Sequence, residues 1–207
     1  MRIEAFDFST LDLFHERLCL DFANTTPFHH NLSEDHLNTY ADLLSWSNHV
    51  NLLDEEQAQT LLTLAASQPA EADAVLQKAH RLRADIFAIF YASAYNATPD
   101  SDALDSLNAA LSASMAYMQL MPVQNAYEWA WAGDANDLEQ MLWPVAWSAG
   151  ELLMSDDLKL LRHCDGHECD WLFLDTSRNH SRRWCDMKTC GNRAKAKRHY
   201  QRNQSEG

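Results

Sequence analysis

Cys164 and Cys169, and after them Cys185 and Cys190, form two pairs with four residues inside each pair and fifteen between them, in a 207-residue chain with five cysteines in all. Two short loops that each bring two sulfurs to one point can set four thiolates around a tetrahedral Zn²⁺. Four protein ligands leave no open position for a catalytic water, so the chemistry expected is one structural zinc. The competing assignments are a redox dithiol pair, an iron centre, or His163 or His167 replacing one cysteine. The fifth cysteine, Cys19, stands between Leu18 and Leu20 and reads as a buried apolar residue.

Positive charge gathers in the same region. Residues 1–156 hold 5 Lys/Arg against 23 Asp/Glu, and residues 157–207 hold 11 against 7, which makes −18 and +4 of a net −14. A basic segment on an acidic chain points to a polyanionic partner, because phosphate neutralisation dominates nucleic-acid affinity. The candidate DNA contacts are Arg182, Arg183, Lys188, Arg193, Lys195, Lys197, Arg198 and Arg202. On a helix over 191–203, Lys195, Arg198 and Arg202 share one side and Arg193 and Lys197 another. The bland alternatives are a solvated helix, or arginines that bind the acidic part of the same chain.

Several elements must position these groups. "WLFLD" and "RRWC" read as two short strands joined by "TSRNHS", and "NRAKAKRHYQR" as a helix, with Gly191 supplying left-handed or close-approach backbone after Cys190. Knuckle, hairpin, knuckle and helix make a treble-clef-like plan. Trp171, Phe173 and Trp184 are expected to fill its small core, and Asp175 to pair with Arg182 or Arg183 across the hairpin. About 45 residues bury too little apolar surface to fold firmly alone, so metal binding would supply much of the folding free energy.

The run "SRN", "SRRWC" and "CGNRAKA", in which Asp175, Ser177, Arg178, Asn179, Arg182, Arg183, Trp184, Gly191, Asn192 and Arg193 hold the characteristic positions, resembles the CGNR zinc finger. "LCLDFANT" at residues 18–25 resembles the signature that opens the ABATE domain, the usual N-terminal companion of that finger. The resemblance spans the whole chain. It implies a bacterial stress-responsive transcription regulator that binds DNA through the finger.

The first 156 residues are mostly helical in period. Asn38 or Thr39 caps a helix to about Asn48; Asp54 with Gln57 forms a capping box; Pro69 opens a long helix with Val75, Ala79, Leu82, Ile86, Ile89 and Phe90 on one stripe. "TPDSDALDSLNAALSAS" reads as another helix and "MAYMQLMPVQNAYEWAWAG" as a β-hairpin. A last helix is expected from a cap at Asp134 or Asn136, kinked or split at Pro144. The fold class is therefore mainly α with a small β-hairpin, a helical domain over 1–156, and a zinc finger over 157–207 docked on it.

Asp21, Asn24 and Thr25 follow an apolar run and are expected to cap the next element or to line an effector pocket. Trp129, Trp131, Trp143 and Trp147 would line the same cavity or fill the core. His29, His30 and His36 near Glu34 and Asp35 match no zincin spacing and read as a solvated loop. No nucleophile elbow or phosphate-binding glycine loop is present, so an enzyme is not expected. Neither a signal-peptide pattern nor a run of about 18 apolar residues occurs, and a cytoplasmic protein off the membrane is expected. Besides DNA, the expected partners are a second copy of the chain, forming a homodimer, and a small-molecule effector. The rival functions are a protein-interaction module with a purely structural zinc, and a thiol-based redox switch.

Overall fold

Helix starts are set by local chemistry. A short first helix, α1 (Leu18–Ala23), places Cys19, Leu20 and Phe22 in the core; after it, Thr39 accepts the Asp42 amide while the Asp42 carboxylate accepts the Thr39 amide, a capping box. The box starts α2 (Tyr40–His49), and a second one at Asp54 and Gln57 starts α3 (Glu55–Ser67). Pro69 occupies the first turn of α4 (Pro69–Ala94), and Asp100 caps α5 (Ser101–Met115). The computed structural model describes residues 5–10, 17–27 and 35–205, without the side chains of 10, 198, 199 and 202–205. His29, His30 and Glu34, and the side chains of Arg198 and Arg202, lie outside the described residues.

Strands β1 (Met118–Val123) and β2 (Ala126–Trp131) pair antiparallel, Met118 opposite Trp131 and Val123 opposite Ala126. Gln124 takes φ 50° in the two-residue turn. Most of this ribbon is exposed, with Leu120, Tyr127 and Trp129 bare to solvent.

The expected cap at Asp134 or Asn136 is corrected by the structure, because residues 134–141 form turns and α6 runs from Leu142 to Met154. Pro144 is then the third residue of the first turn, where its missing N–H has no helical partner to lose, so the expected kink is absent. Leu43, Trp46, Ile86, Phe90, Leu107, Val145 and Leu152 from α2, α4, α5 and α6 are fully buried in one core.

The finger joins that core. Strand β3 (Leu161–His163) pairs antiparallel with β4 (Leu172–Leu174), and Leu161, Leu172 and Leu174 lie in the main hydrophobic cluster. The expectation that "RRWC" would be the second strand is corrected, since residues 181–184 are irregular and β4 takes β3 as its partner. Pairing with β3 lets three leucines face the helices; pairing with "RRWC" would set two arginines beside β4. A π-helical turn (Met187–Gly191) leads into α7 (Asn192–Ser205). No described helix is long and apolar enough to cross a membrane.

Candidate metal centre and basic surface

The four sulfurs of Cys164, Cys169, Cys185 and Cys190 lie within 4.8 Å of one another, and all four residues are buried. Cys185 Sγ is 3.6 Å from both Cys169 Sγ and Cys190 Sγ. A tetrahedron with Zn–S bonds of about 2.3 Å has edges of about 3.8 Å, so the cage fits zinc. The amides of Gly166 and Cys185 each donate to Cys164 Sγ at 3.3 Å, as suits a sulfur that carries charge. A Cβ at Gly166 would stand 3.2 Å from the sulfurs of Cys164 and Cys190, so a side chain there would crowd the cage.

Electrostatics give the same answer. Hydrogen bonds from the Cys169 and Cys185 thiols, in that order, pull the Cys164 thiol down to about 2, while donating those hydrogen bonds to Cys164 holds both neighbours well above the ordinary thiol range. Without a cation the Cys164 thiolate forms at the expense of Cys169 and Cys185; a divalent ion offsets the charge that adjacent thiolates gather. Cys190 is the fourth ligand, and Cys19, pushed up to about 12 by burial, sits apart in the helical core. His163 is no ligand in this arrangement. Its Nδ1 meets the Tyr95 hydroxyl at 3.1 Å, and its ring lies edge-on to Tyr91.

Around the cage, Phe173 is fully buried and forms the module's core with the cysteines, and Trp171 and Trp184 pack against it partly buried. Asp175, wholly buried, accepts from the backbone amide of Arg182 at 2.8 Å and from the hydroxyl and amide of Ser177. It does not pair with a guanidinium, which corrects the expected cross-strand ion pair. The Arg182 guanidinium instead donates to the carbonyls of Trp184 and Cys185 and covers the Phe173 ring at 4.7 Å, so this arginine builds the finger. Arg183 reaches Asp165 at 2.7 Å, and Arg193 reaches Glu168 at 3.5 Å. Both pairs are exposed and individually weak, so the guanidiniums can exchange partners. Lys188, Lys195 and Lys197 are exposed. Gly191 has no left-handed φ, and a Cβ there would meet the flexible end of the exposed Met187 side chain, 2.8 Å from its Sδ.

The trio Asp21, Asn24 and Thr25 is buried where the finger docks. The Asn24 side chain donates to the Leu172 carbonyl at 2.8 Å and accepts the Leu172 amide at 3.0 Å. Next to it the Trp171 indole donates to the Thr26 carbonyl, and the Asp170 amide to the Pro27 carbonyl. Thr25 donates to the Phe22 carbonyl and accepts from Arg83, whose guanidinium is paired with Asp35 in a buried ion pair. Residues 24–27 thus form a docking strip for residues 170–172. Among the tryptophans, Trp129 is exposed, while Trp143 is buried, stacks on Tyr117 at 4.0 Å and borders a cavity of about 250 Å³ between α4, α5 and α6. The sequence carried one sign of this docking role: an amide residue directly after an apolar run can satisfy both backbone groups of an incoming strand.

In a comparison with protein-family models, residues 16–156 match ABATE, described as "Putative stress-induced transcription regulator", and residues 161–203 match the CGNR zinc finger. No curated protein matches the chain. Neither matching family is described as an enzyme. The helical body, matched over most of its length and sutured to its finger by the Asn24 strip, places this chain in the ABATE family, with a CGNR zinc finger at its C-terminal end.

Proposed function

We propose that this cytoplasmic protein regulates transcription by binding DNA through the zinc finger, while the acidic helical body senses a signal and mediates self-association. One observation carries the reading: Arg183, Lys188, Arg193, Lys195 and Lys197 are all exposed on one zinc-built module, whereas the body around them is strongly acidic. Phosphate contacts need cations that can leave their present partners, and the exposed pairs of Arg183 and Arg193 meet that need. The acidic body repels DNA elsewhere and confines contact to the finger. Arg198 and Arg202 belong to the same helix and are proposed as further contacts.

The bare ribbon of β1 and β2, with both edges unpaired among the described residues, supports a homodimer, and a single small finger gains specificity from a second half-site. Asn24 and Thr25 have committed their polar groups to protein partners, so the cavity bordered by Trp143 is the better-supported place for a small-molecule effector. Fluorescence anisotropy of the full chain with mixed-sequence duplex DNA tests the reading. Zinc-loaded protein binds and chelated protein does not, and Arg193→Ala with Lys197→Ala weakens binding at least tenfold. Binding indifferent to zinc and to both substitutions would overturn it.

A further inference from the structure

A groove of about 580 Å³ runs along the finger between the first cysteine loop and α7. Asp165 and Glu168 stand on the loop side, Arg193 and Lys197 on the helix side, and Arg183 and Trp184 on the segment before the third cysteine. Positions 190, 193, 194, 197 and 201 repeat at helical spacing, so one whole face of α7 lines this groove and Lys195 lies off it. The face that carries Arg193 and Lys197 is therefore walled on its other side. It meets duplex phosphates from its open side rather than lying flat in a major groove, and the groove itself has the size of a small-ligand site.

Three cations against two carboxylates leave the groove positive, which suits a phosphate-bearing ligand. Trp184 is half-buried with the Arg183 guanidinium 5.5 Å from its ring, an aromatic and cationic combination on which bases stack. The carboxylates are the informative groups. They are misplaced for phosphate, yet they accept hydrogen bonds well, and a carboxylate is a good acceptor for the exocyclic amino group of cytosine.

From this groove we propose that the finger binds an unpaired nucleotide of a nucleic-acid strand, in addition to the duplex contact proposed above and resting on that reading for its polyanionic partner. The base stacks at Trp184, its amino-bearing edge faces Asp165 and Glu168, and the adjoining phosphates meet Arg193 and Lys197. Amino-bearing bases are preferred to thymine or uracil, which present a carbonyl oxygen to the same carboxylates.

The test uses zinc-loaded full-length protein at neutral pH and labelled oligo-dC, oligo-rC and oligo-dT of about 12 nucleotides, long enough for one such site. Binding of oligo-dC or oligo-rC at least tenfold tighter than oligo-dT supports the proposal, and the two cytosine probes separate a DNA strand from an RNA strand. Trp184→Ala is expected to weaken oligo-dC binding about tenfold with zinc content unchanged. The pair Asp165→Asn and Glu168→Gln, which keeps the fold if Trp184→Ala does not, is expected to abolish the preference for dC over dT. Equal affinity for dC and dT overturns the proposal, as does capture of an arginine-rich peptide with no oligonucleotide bound. Duplex binding that persists in those cases leaves the regulator reading standing; loss of duplex and single strands alike removes both.

Discussion

Replacing Asn24 with alanine strands the amide and carbonyl of Leu172 in a buried seam, since both are held by that one side chain. Each buried backbone group left unpaired costs about 1–3 kcal/mol, so Asn24→Ala, which strands two, is expected to lower stability by roughly 2–6 kcal/mol in a urea titration. A loss below about 0.5 kcal/mol, the range of an ordinary surface substitution, would show that the strip holds nothing. Asp175 makes a pH prediction. Burial favours its neutral form, but the hydrogen bonds from Ser177 and from the Arg182 amide outweigh that and hold its carboxyl below the ordinary range. A depressed folded-state value means that its contribution is present above the unfolded value and is lost as pH falls through the folded one. Asp175→Asn should therefore destabilise at neutral pH and flatten the stability loss between about pH 5 and pH 2, measured by denaturation at a series of pH values. At this scale the four cysteines were legible because ligand spacing is a property of sequence alone. Arg182 was not, because nothing in "SRRW" says that one of two adjacent guanidiniums turns inward onto carbonyls.

The helices of the body were readable wherever a cap or a proline fixed a start, as at Thr39, Asp54 and Pro69. Pro144 misled because a proline inside an apolar pattern reads as a kink, whereas the chain simply delays the helix until proline falls in its first turn. The finger's strand pairing was hidden for another reason: β4 selects its partner by the leucines it must bury against α1 and α4, a tertiary demand that periodicity does not carry. The two layers of the module give a prediction about zinc. Chelation removes the ion that allows four adjacent thiolates, so amide hydrogen exchange of residues 164–191 should lose protection while α4 and α6 keep theirs. Loss of protection through every helix at once would mean that the finger and body fold only as one unit.

The whole molecule sets a basic, metal-built finger on an acidic helical body, and the seam between them explains why no linker was visible in sequence. Asn24, Thr26 and Pro27 reach across to Leu172, Trp171 and Asp170, and Arg17 pairs with Asp157, so the signature near the start of the chain is read in three dimensions as the socket of the finger near its end. A body coupled this directly can act on the finger without a hinge. The charge division makes the central claim measurable: binding that runs through exposed lysines and arginines must weaken with salt. If about four phosphates are neutralised, affinity for duplex DNA should fall roughly 100-fold between about 50 and 200 mM salt. The slope of log affinity against log salt should then shrink by about two when Arg193 and Lys197 are both replaced by alanine. An affinity that ignores salt, or a slope unchanged by those two substitutions, would contradict the account.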